Sequence, residues 1–220
     1  DRTDPQVVSW NVDGIRLKLQ DIGGESQLME VVKETSADIL FVQETHYRHG
    51  REHRNYLPGY VLYHSSLPKK RTRSGQRTEL PEHQQNSRAG VMIAIKAELS
   101  PTLKVERLTE PDNLRGYMLP LRVDTDRGKM LVINVYLPPD DRCREMIMRE
   151  IADWISTHRH VGEPVLMGGD FNAAWFTQDR SQGKLTGQDN IYKQWATNLL
   201  VKPTDLWSTL RTRDRTYESH

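Results

Sequence analysis

Four separated segments place amides and carboxylates where a short apolar run gives out. They are "VVSWNVDGIR" with Asn11 and Asp13, "ILFVQETH" with Gln43 and Glu44, "LVINVYLP" with Asn134 and Tyr136, and "VLMGGDFNA" with Asp170 and Asn172. A polar group at the end of an apolar strand costs desolvation unless it is hydrogen-bonded or binds something. Any one instance reads as a turn, where Asn and Asp are ordinary. Four instances point to strand ends that meet at one edge, bringing Asp13, Glu44 and Asp170 together with Asn11 and Asn172. Three carboxylates so close need a cation. Oxygen-only ligands, with no His-x-x-x-His pair and no cysteine cluster, indicate a hard ion such as Mg2+ or Mn2+ rather than zinc. Such an ion commonly works on phosphate: it neutralises the phosphoryl oxygens, stabilises the leaving oxygen and needs a nearby base to orient an attacking water. Asp170 suits that base, with Asn172 holding the water or the phosphate. Covalent catalysis fits less well, because the chain has no Gly-x-Ser-x-Gly elbow, no Gly-x-x-x-x-Gly-Lys-Ser/Thr loop and no Cys beside a candidate His.

The elements that must position these residues are short. Apolar runs at 6–10, 38–43, 60–64, 90–95, 117–123, 129–137 and 164–168 read as strands separated by turn residues. Helical period appears at 26–34, at 188–200 and, longest, at 142–159. There Cys143, Met146, Ile147, Ile151, Trp154 and Ile155 share a face. Asp140 and Asp141 suit the start of that helix, and Gly162 and Pro164 stop it before the next strand. Many strands with few helices predict stacked sheets flanked by helices, not the strict alternation of a doubly wound fold.

At 220 residues the chain is long enough for one α/β domain, spanning 1–220. Lys and Arg (31) nearly cancel Asp and Glu (30), so any electrostatic argument must be local. The segment 67–90 is locally basic, carrying Lys69, Lys70, Arg71, Arg73, Arg77 and Arg88 against Glu79 and Glu82. A loop of that length is either functional, here tracking phosphates, or simply a solvated loop. A single cysteine, Cys143, favours a reducing intracellular compartment. No apolar run approaches the roughly 20 residues that span a bilayer, and the first residues lack the order of a signal peptide, so no membrane partner is expected.

In order, "SWNVDGIR", "VQETH", "NVYLP" and "GGDFN" resemble the successive motifs of the endonuclease/exonuclease/phosphatase superfamily. The first two are similar to its abasic-endonuclease branch, while "EPVLMGGDFNAAW", "AGVMIAI" and "RTYESH" look more like the endonuclease domains of non-LTR retrotransposons. The resemblance implies an α/β fold of four layers, two packed mixed sheets between helices. It also implies Mg2+-dependent hydrolysis of a DNA phosphodiester to a 3′-hydroxyl. Carried over by motif, Glu44 resembles the main metal ligand, Asp13 a second metal carboxylate and Asn11 part of the network around them. Tyr136 resembles a tyrosine that contacts phosphate, although a strand-end aromatic packed on the core is the plain alternative. Asp170 and Asn172 resemble the water-activating pair. Arg16, the basic loop at Lys69, Lys70, Arg71 and Arg73, Arg142 and Thr216 are the residues expected to reach DNA; Arg142 equally reads as a solvated first-turn residue. The implied partner is double-stranded DNA, within a polyprotein that also holds a reverse transcriptase, and the implied place of work is the nucleus. The family closes with an Asp-containing strand and a Ser-Asp-His motif, whereas here Ser219 and His220 end the chain. The expectation is therefore a domain truncated at its C-terminal strands. Two other readings stay open: an abasic-site repair endonuclease, and a catalytically incomplete module that binds DNA or protein.

Overall fold

The computed structural model describes residues 5–15, 26–47, 57–69, 82–85, 88–99, 101–180 and 183–199. The chain forms two compact units that divide after Asn172.

In the first unit, β1 (Val7–Asn11), α1 (Gln27–Thr35), β2 (Ile39–Gln43), β3 (Tyr60–Ser65) and β4 (Val91–Lys96) lead into β5 (Lys104–Arg107), β6 (Met118–Thr125), β7 (Gly128–Tyr136), α2 (Asp141–His158) and β8 (Val165–Asp170). They make two four-stranded sheets, in the orders β1-β2-β4-β3 and β5-β6-β7-β8. Each sheet is mixed. Strands β1 and β2 are parallel, as are β7 and β8, and the other neighbours are antiparallel. A parallel pair needs a crossover, which α1 and α2 supply. Each crossover therefore delivers two strand C-termini to the same edge of its sheet, the usual place for a ligand in such units.

Ser26 starts α1 by accepting from the Met29 amide at 3.3 Å, and Ser36 ends it in a left-handed conformation. Its buried Leu28 and Val32 pack with Leu40, Val42, Met92 and Ala94 of the first sheet. Asp140 caps α2, accepting from the Cys143 amide at 2.9 Å. The buried stripe of α2 is Arg144, Ile147, Met148, Ile151, Trp154 and Ile155, which corrects the predicted face: Met146 is exposed and Cys143 only partly buried. Met146 stands five residues from Ile151, hence roughly 140° around the helix, so it turns to solvent while Met148 fills the core.

All seven predicted strands form; β5 was not expected, because Lys104, Glu106 and Arg107 leave Val105 without an apolar run. The two sheets face one another. Residues of β7 alternate between faces, and Asn134 faces the first sheet. It is fully buried, donates to the Val42 carbonyl at 3.0 Å and the Met92 carbonyl at 2.8 Å, and accepts from Gln43 at 2.8 Å. Gln43 in turn donates to the Ser9 hydroxyl at 3.2 Å. A Cβ on Gly168 would collide with the ring of Phe41, so this glycine lets the sheets close. Gly169, at φ 144°, lies against the Val135 carbonyl, where only a glycine fits.

The second unit contains α3 (Gly187–Leu199) and the turn Thr177–Asp179. Thr186 and Asp189 cap α3 reciprocally: the Asp189 amide donates to the Thr186 hydroxyl at 3.2 Å, and the Thr186 amide to the Asp189 carboxylate at 2.7 Å. The buried Asp189 carboxylate also accepts from the Ala174 amide at 2.8 Å and from Arg180. Trp175 packs edge-on to Tyr192 with ring centroids 5.9 Å apart. Among the described residues no helix is long and apolar enough to cross a membrane.

Two stability predictions follow from these contacts. Asn134→Leu removes three buried hydrogen bonds, those to the Val42 and Met92 carbonyls and the one from Gln43, so urea unfolding should show a loss of about 3 kcal/mol; an unchanged midpoint would remove the cross-sheet role. Arg180, followed by the backbone and hydroxyl donors, holds the Asp189 carboxyl far below the usual carboxylate range. A depressed folded pKa gives stability that is present above the unfolded value near 4 and lost as pH falls toward the folded one. Asp189→Asn should cost on the order of 2 kcal/mol at pH 7, and its difference from the parent should shrink progressively as pH falls below about 4, where the unfolded carboxyl takes up a proton that the folded one still refuses. Chemical unfolding followed by circular dichroism reads both.

Candidate active site

The turns after the strands continue side by side. Val12 N–H donates to the Gln43 carbonyl at 3.1 Å and Gly14 N–H to the Glu44 carbonyl at 2.8 Å, so the stretch after β1 stays beside the stretch after β2. The Thr45 and His46 amides donate to the Gly90 and Ala89 carbonyls at 3.0 and 3.2 Å, fixing that stretch against the approach to β4. On the second sheet, Tyr136 pairs in register with Asp170, and Leu137 N–H donates to the Asp170 carbonyl at 2.8 Å.

Asn11 joins the two sheets at this edge. Its side-chain amide donates to Glu44 Oε1 at 2.8 Å and to Asp170 Oδ2 at 2.7 Å, while its Oδ1 accepts from the Asp13 amide at 3.1 Å. Both hydrogens of the amide are thus spent on carboxylates, which ties Glu44 and Asp170 to one another through a single side chain. Asp170 Oδ1 accepts from the Asn172 backbone at 2.9 Å, and the Asn172 side-chain amide donates to the Leu137 carbonyl at 2.8 Å. The latter bond ties the loop after β8 to the end of β7.

Tyr136 is buried; its ring stacks on Tyr117 with centroids 6.3 Å apart and its hydroxyl donates to Glu44. The ring thus packs on the core while the hydroxyl meets the acidic cluster. Burial first, and then the charges of Glu44 and Asp170, push its phenol far above the ordinary tyrosine range.

Asp13, Glu44 and His46 each offer a ligand atom, all within 4.8 Å of one another. His46 Nε2 lies 3.4 Å from Glu44 Oε2 and 3.8 Å from Asp13 Oδ1. Two carboxylates and an imidazole form a donor set that fits a divalent cation. His46 went unremarked in the sequence, although "QETH" carries it beside Glu44; the oxygen-only donor set expected there gains a nitrogen. Asp13, Glu44, His46 and Asn172 all have positive φ, at 43°, 53°, 55° and 47°. Non-glycine residues there cost on the order of 1 kcal/mol each, and such strain concentrates at functional sites.

Of the residues expected to reach DNA, Lys69 is exposed and Arg142 is exposed in the first turn of α2. Arg16, Lys70, Arg71, Arg73 and Thr216 lie outside the described residues. Two basic residues not singled out do carry contacts. Arg88, from the end of the basic segment, comes within 4.0 Å of Asp13. Arg144 is buried and donates to the Pro138 carbonyl at 3.0 Å and to the Pro139 carbonyl, anchoring the loop after β7.

Comparison with known proteins agrees with this geometry. The model of the endonuclease/exonuclease/phosphatase family matches residues 8–220. The RNA-directed DNA polymerase from the mobile element jockey of Drosophila melanogaster is 29% identical over 201 residues, covering 89% of this chain and 18% of the relative. The chain thus spans under a fifth of that relative's length. Among solved structures, the endonuclease domain of TRAS1, a telomere-specific non-LTR retrotransposon, shares the fold with a TM-score of 0.56 at 15% identity, over 89% of this chain and 73% of that one. An AP endonuclease from Archaeoglobus fulgidus does so with a TM-score of 0.59 at 16% identity, over 96% and 76%.

The Tyr136 environment makes a spectroscopic prediction. A phenol raised this far stays protonated through the range in which exposed tyrosines ionise, around pH 10. Tyr136→Phe should therefore remove no tyrosinate absorbance below about pH 11; a missing residue's worth of signal at pH 10 would mean that the hydroxyl is solvated.

Proposed function

The chain belongs to the endonuclease/exonuclease/phosphatase family, and from that membership we propose that it is a divalent-metal-dependent DNA endonuclease. In this reading it hydrolyses one phosphodiester of double-stranded DNA, leaves a 3′-hydroxyl and nicks target DNA for retrotransposition. The observation that carries the reading is the Asn11 amide, bonded to Glu44 and Asp170 at 2.8 and 2.7 Å. It keeps a carboxylate of each sheet at one edge, an arrangement that a module made only for docking would have no reason to maintain at its desolvation cost. Similarity to the jockey RNA-directed DNA polymerase supports a polyprotein setting with a reverse transcriptase beyond this domain; in that setting the substrate would be genomic DNA in the nucleus.

Glu44 and Asp13, with His46 beside them, would hold the cation, Mg2+ or Mn2+, which supplies charge neutralisation at the phosphate and at the leaving oxygen. The chain's own groups do the rest. An ionised carboxylate has about four acceptor positions, and at Asp170 one oxygen serves Asn172 and the other Asn11. The positions left over suit an attacking water, which Asp170 orients and from which it takes the proton. Asn172 keeps the loop after β8 in place and presents its amide at the same corner, while the Tyr136 hydroxyl, released from Glu44 when that carboxylate turns to the cation, would donate to a phosphate oxygen. Exposed Arg88, Lys69 and Arg142 suit contacts along the DNA backbone, which position without reading sequence.

Supercoiled plasmid separates the readings. The parent domain with Mg2+ should convert it to open circles whose nicks a polymerase extends directly; chelation should stop the reaction. Glu44→Ala and Asp170→Ala should each lower the rate by about a hundredfold or more, as removal of a group acting in the transition state does. Nicking by both variants at the parent's rate would show the catalytic roles given to Glu44 and Asp170 to be wrong, and a parent that binds DNA without nicking it would be a binding module. The fold match to an AP endonuclease favours abasic-site repair as the second reading, and cutting of an abasic duplex with intact plasmid untouched would select it.

A further inference from the structure

We infer that His46 is a nitrogen ligand of the metal site and that it biases the site toward first-row transition ions, Mn2+ among them, over Mg2+. This rests on the metal-dependent reading above, but goes beyond the two carboxylates to which that reading assigns the ion.

Three observations carry it. First, Nε2 faces both carboxylates without engaging either closely, at 3.4 Å from Glu44 Oε2 and 3.8 Å from Asp13 Oδ1. A charge-assisted hydrogen bond would draw the pair to about 2.7–2.9 Å. The wider spacing suits atoms that share an ion, since adjacent ligands bonded at about 2.1 Å in an octahedron stand about 3 Å apart. Second, the backbone aims the ring. His46 and Glu44 both have positive φ, and the Ala89 and Gly90 carbonyls pin the intervening amides. A histidine there only to balance charge has no need of so determined an orientation. Third, the ring lies in a cradle left by Gly14, where an added Cβ would stand 3.1 Å from Nδ1. The Asp-Gly pair thus supplies a carboxylate and, in the next residue, the space for the imidazole.

The chemical consequence follows from the donor set. Mg2+ takes oxygen ligands and gives up its waters reluctantly, whereas an imidazole nitrogen favours first-row transition ions increasingly along the series that begins with Mn2+. Replacing one oxygen of the site by nitrogen shifts relative affinity, not only total affinity.

Mn2+ is the probe, because electron paramagnetic resonance counts the free ion and detects nitrogen bound to it. Metal-free parent, His46→Gln, His46→Asn and Glu44→Gln are titrated with Mn2+ and then competed with Mg2+, with circular dichroism reporting the fold of each. The parent should bind one Mn2+ that yields only to more than about tenfold excess Mg2+, and pulsed spectra of the bound ion should carry the modulation of a coordinated imidazole nitrogen. His46→Gln and His46→Asn should remove that modulation and weaken Mn2+ by about tenfold or more, the scale on which a metal site responds to loss of a supporting group, while changing Mg2+ affinity less than about threefold. No nitrogen modulation in the parent, or an equal loss of both ions in the folded variants, overturns the role of His46 and leaves the carboxylate site standing. Failure of the parent to bind Mn2+, or undiminished binding by Glu44→Gln, removes the metal-site reading itself and the inference with it.

Discussion

Everything at the edge where the carboxylates gather depends on one buried contact between the sheets, the amide pair of Gln43 and Asn134. Glu44 follows Gln43 directly, and Tyr136 stands two residues after Asn134 on the same face of β7. Whatever fixes the two amides also fixes the carboxylate and the phenol. Apolar packing alone would close the sheets at least as favourably, because burial stabilises without direction. It would tolerate a slide of an ångström or so, which a site built from both sheets cannot. Hydrogen bonds of 2.8 to 3.0 Å to Gln43 and to the Val42 and Met92 carbonyls do not allow that slide. Breaking any of them leaves a polar group stranded in the interior at about 1–3 kcal/mol. Asn11 then repeats the device one step further out, where the groups it spans are charged.

Local strain is concentrated where this clamp is tightest. Glu44 and His46 adopt left-handed backbone immediately after Gln43, and Asp13 does so beside them. The surrounding bonds, Val12 and Gly14 to the β2 turn and Thr45 and His46 to Gly90 and Ala89, over-determine these conformations. The core supplies the stability that offsets them: β2 and β4 are almost entirely buried, and α1 covers their outer face. Exposure then grades outward, with the Glu44 side chain at 16%, His46 at 28% and Asp13 at 76%. The Asp13 side of the cluster is therefore open to solvent, while Tyr136 and Asn134 behind it stay dry.

Much of this was legible in the residues. Strands whose runs are apolar, and helices with clear caps, appear where periodicity places them, and the four polar strand ends do converge. What could not be read is physical in each case. Strand β5 is a polar edge with one neighbour, so it carries no apolar signal. Asn134 inside "VINVY" looks like a flaw in a core strand, because its partners are backbone carbonyls of another sheet and leave no trace in sequence. His46 was passed over because histidine ligands are sought by their spacing to other histidines. Its partners here are an Asp and a Glu brought together by two turns of positive φ. The face of α2 was misjudged by one turn's edge, since methionine at 146 and at 148 look alike until the helix has something to pack on.

The glycine pair of "GGDFN" has a structural role that its sequence alone does not reveal. In sequence the two glycines mark the end of a strand, and Asp170 reads as the first residue of a turn. In the structure β8 runs through both glycines to Asp170 itself, in register with Tyr136. Gly168 is there for the Phe41 ring of the opposite sheet, and Gly169 for the Val135 carbonyl of its neighbour. Both remove a side chain from crowded backbone rather than bend it out of the sheet. Asp170 consequently has the rigidity of a paired strand residue, and the left-handed turn comes two residues later, at Asn172 with its φ of 47°. A carboxylate held on a strand stays aligned with Asn11 and Glu44 while the following loop is free to differ in shape and in what it contacts, so the acidic cluster and the loop contacts can vary independently in such a domain.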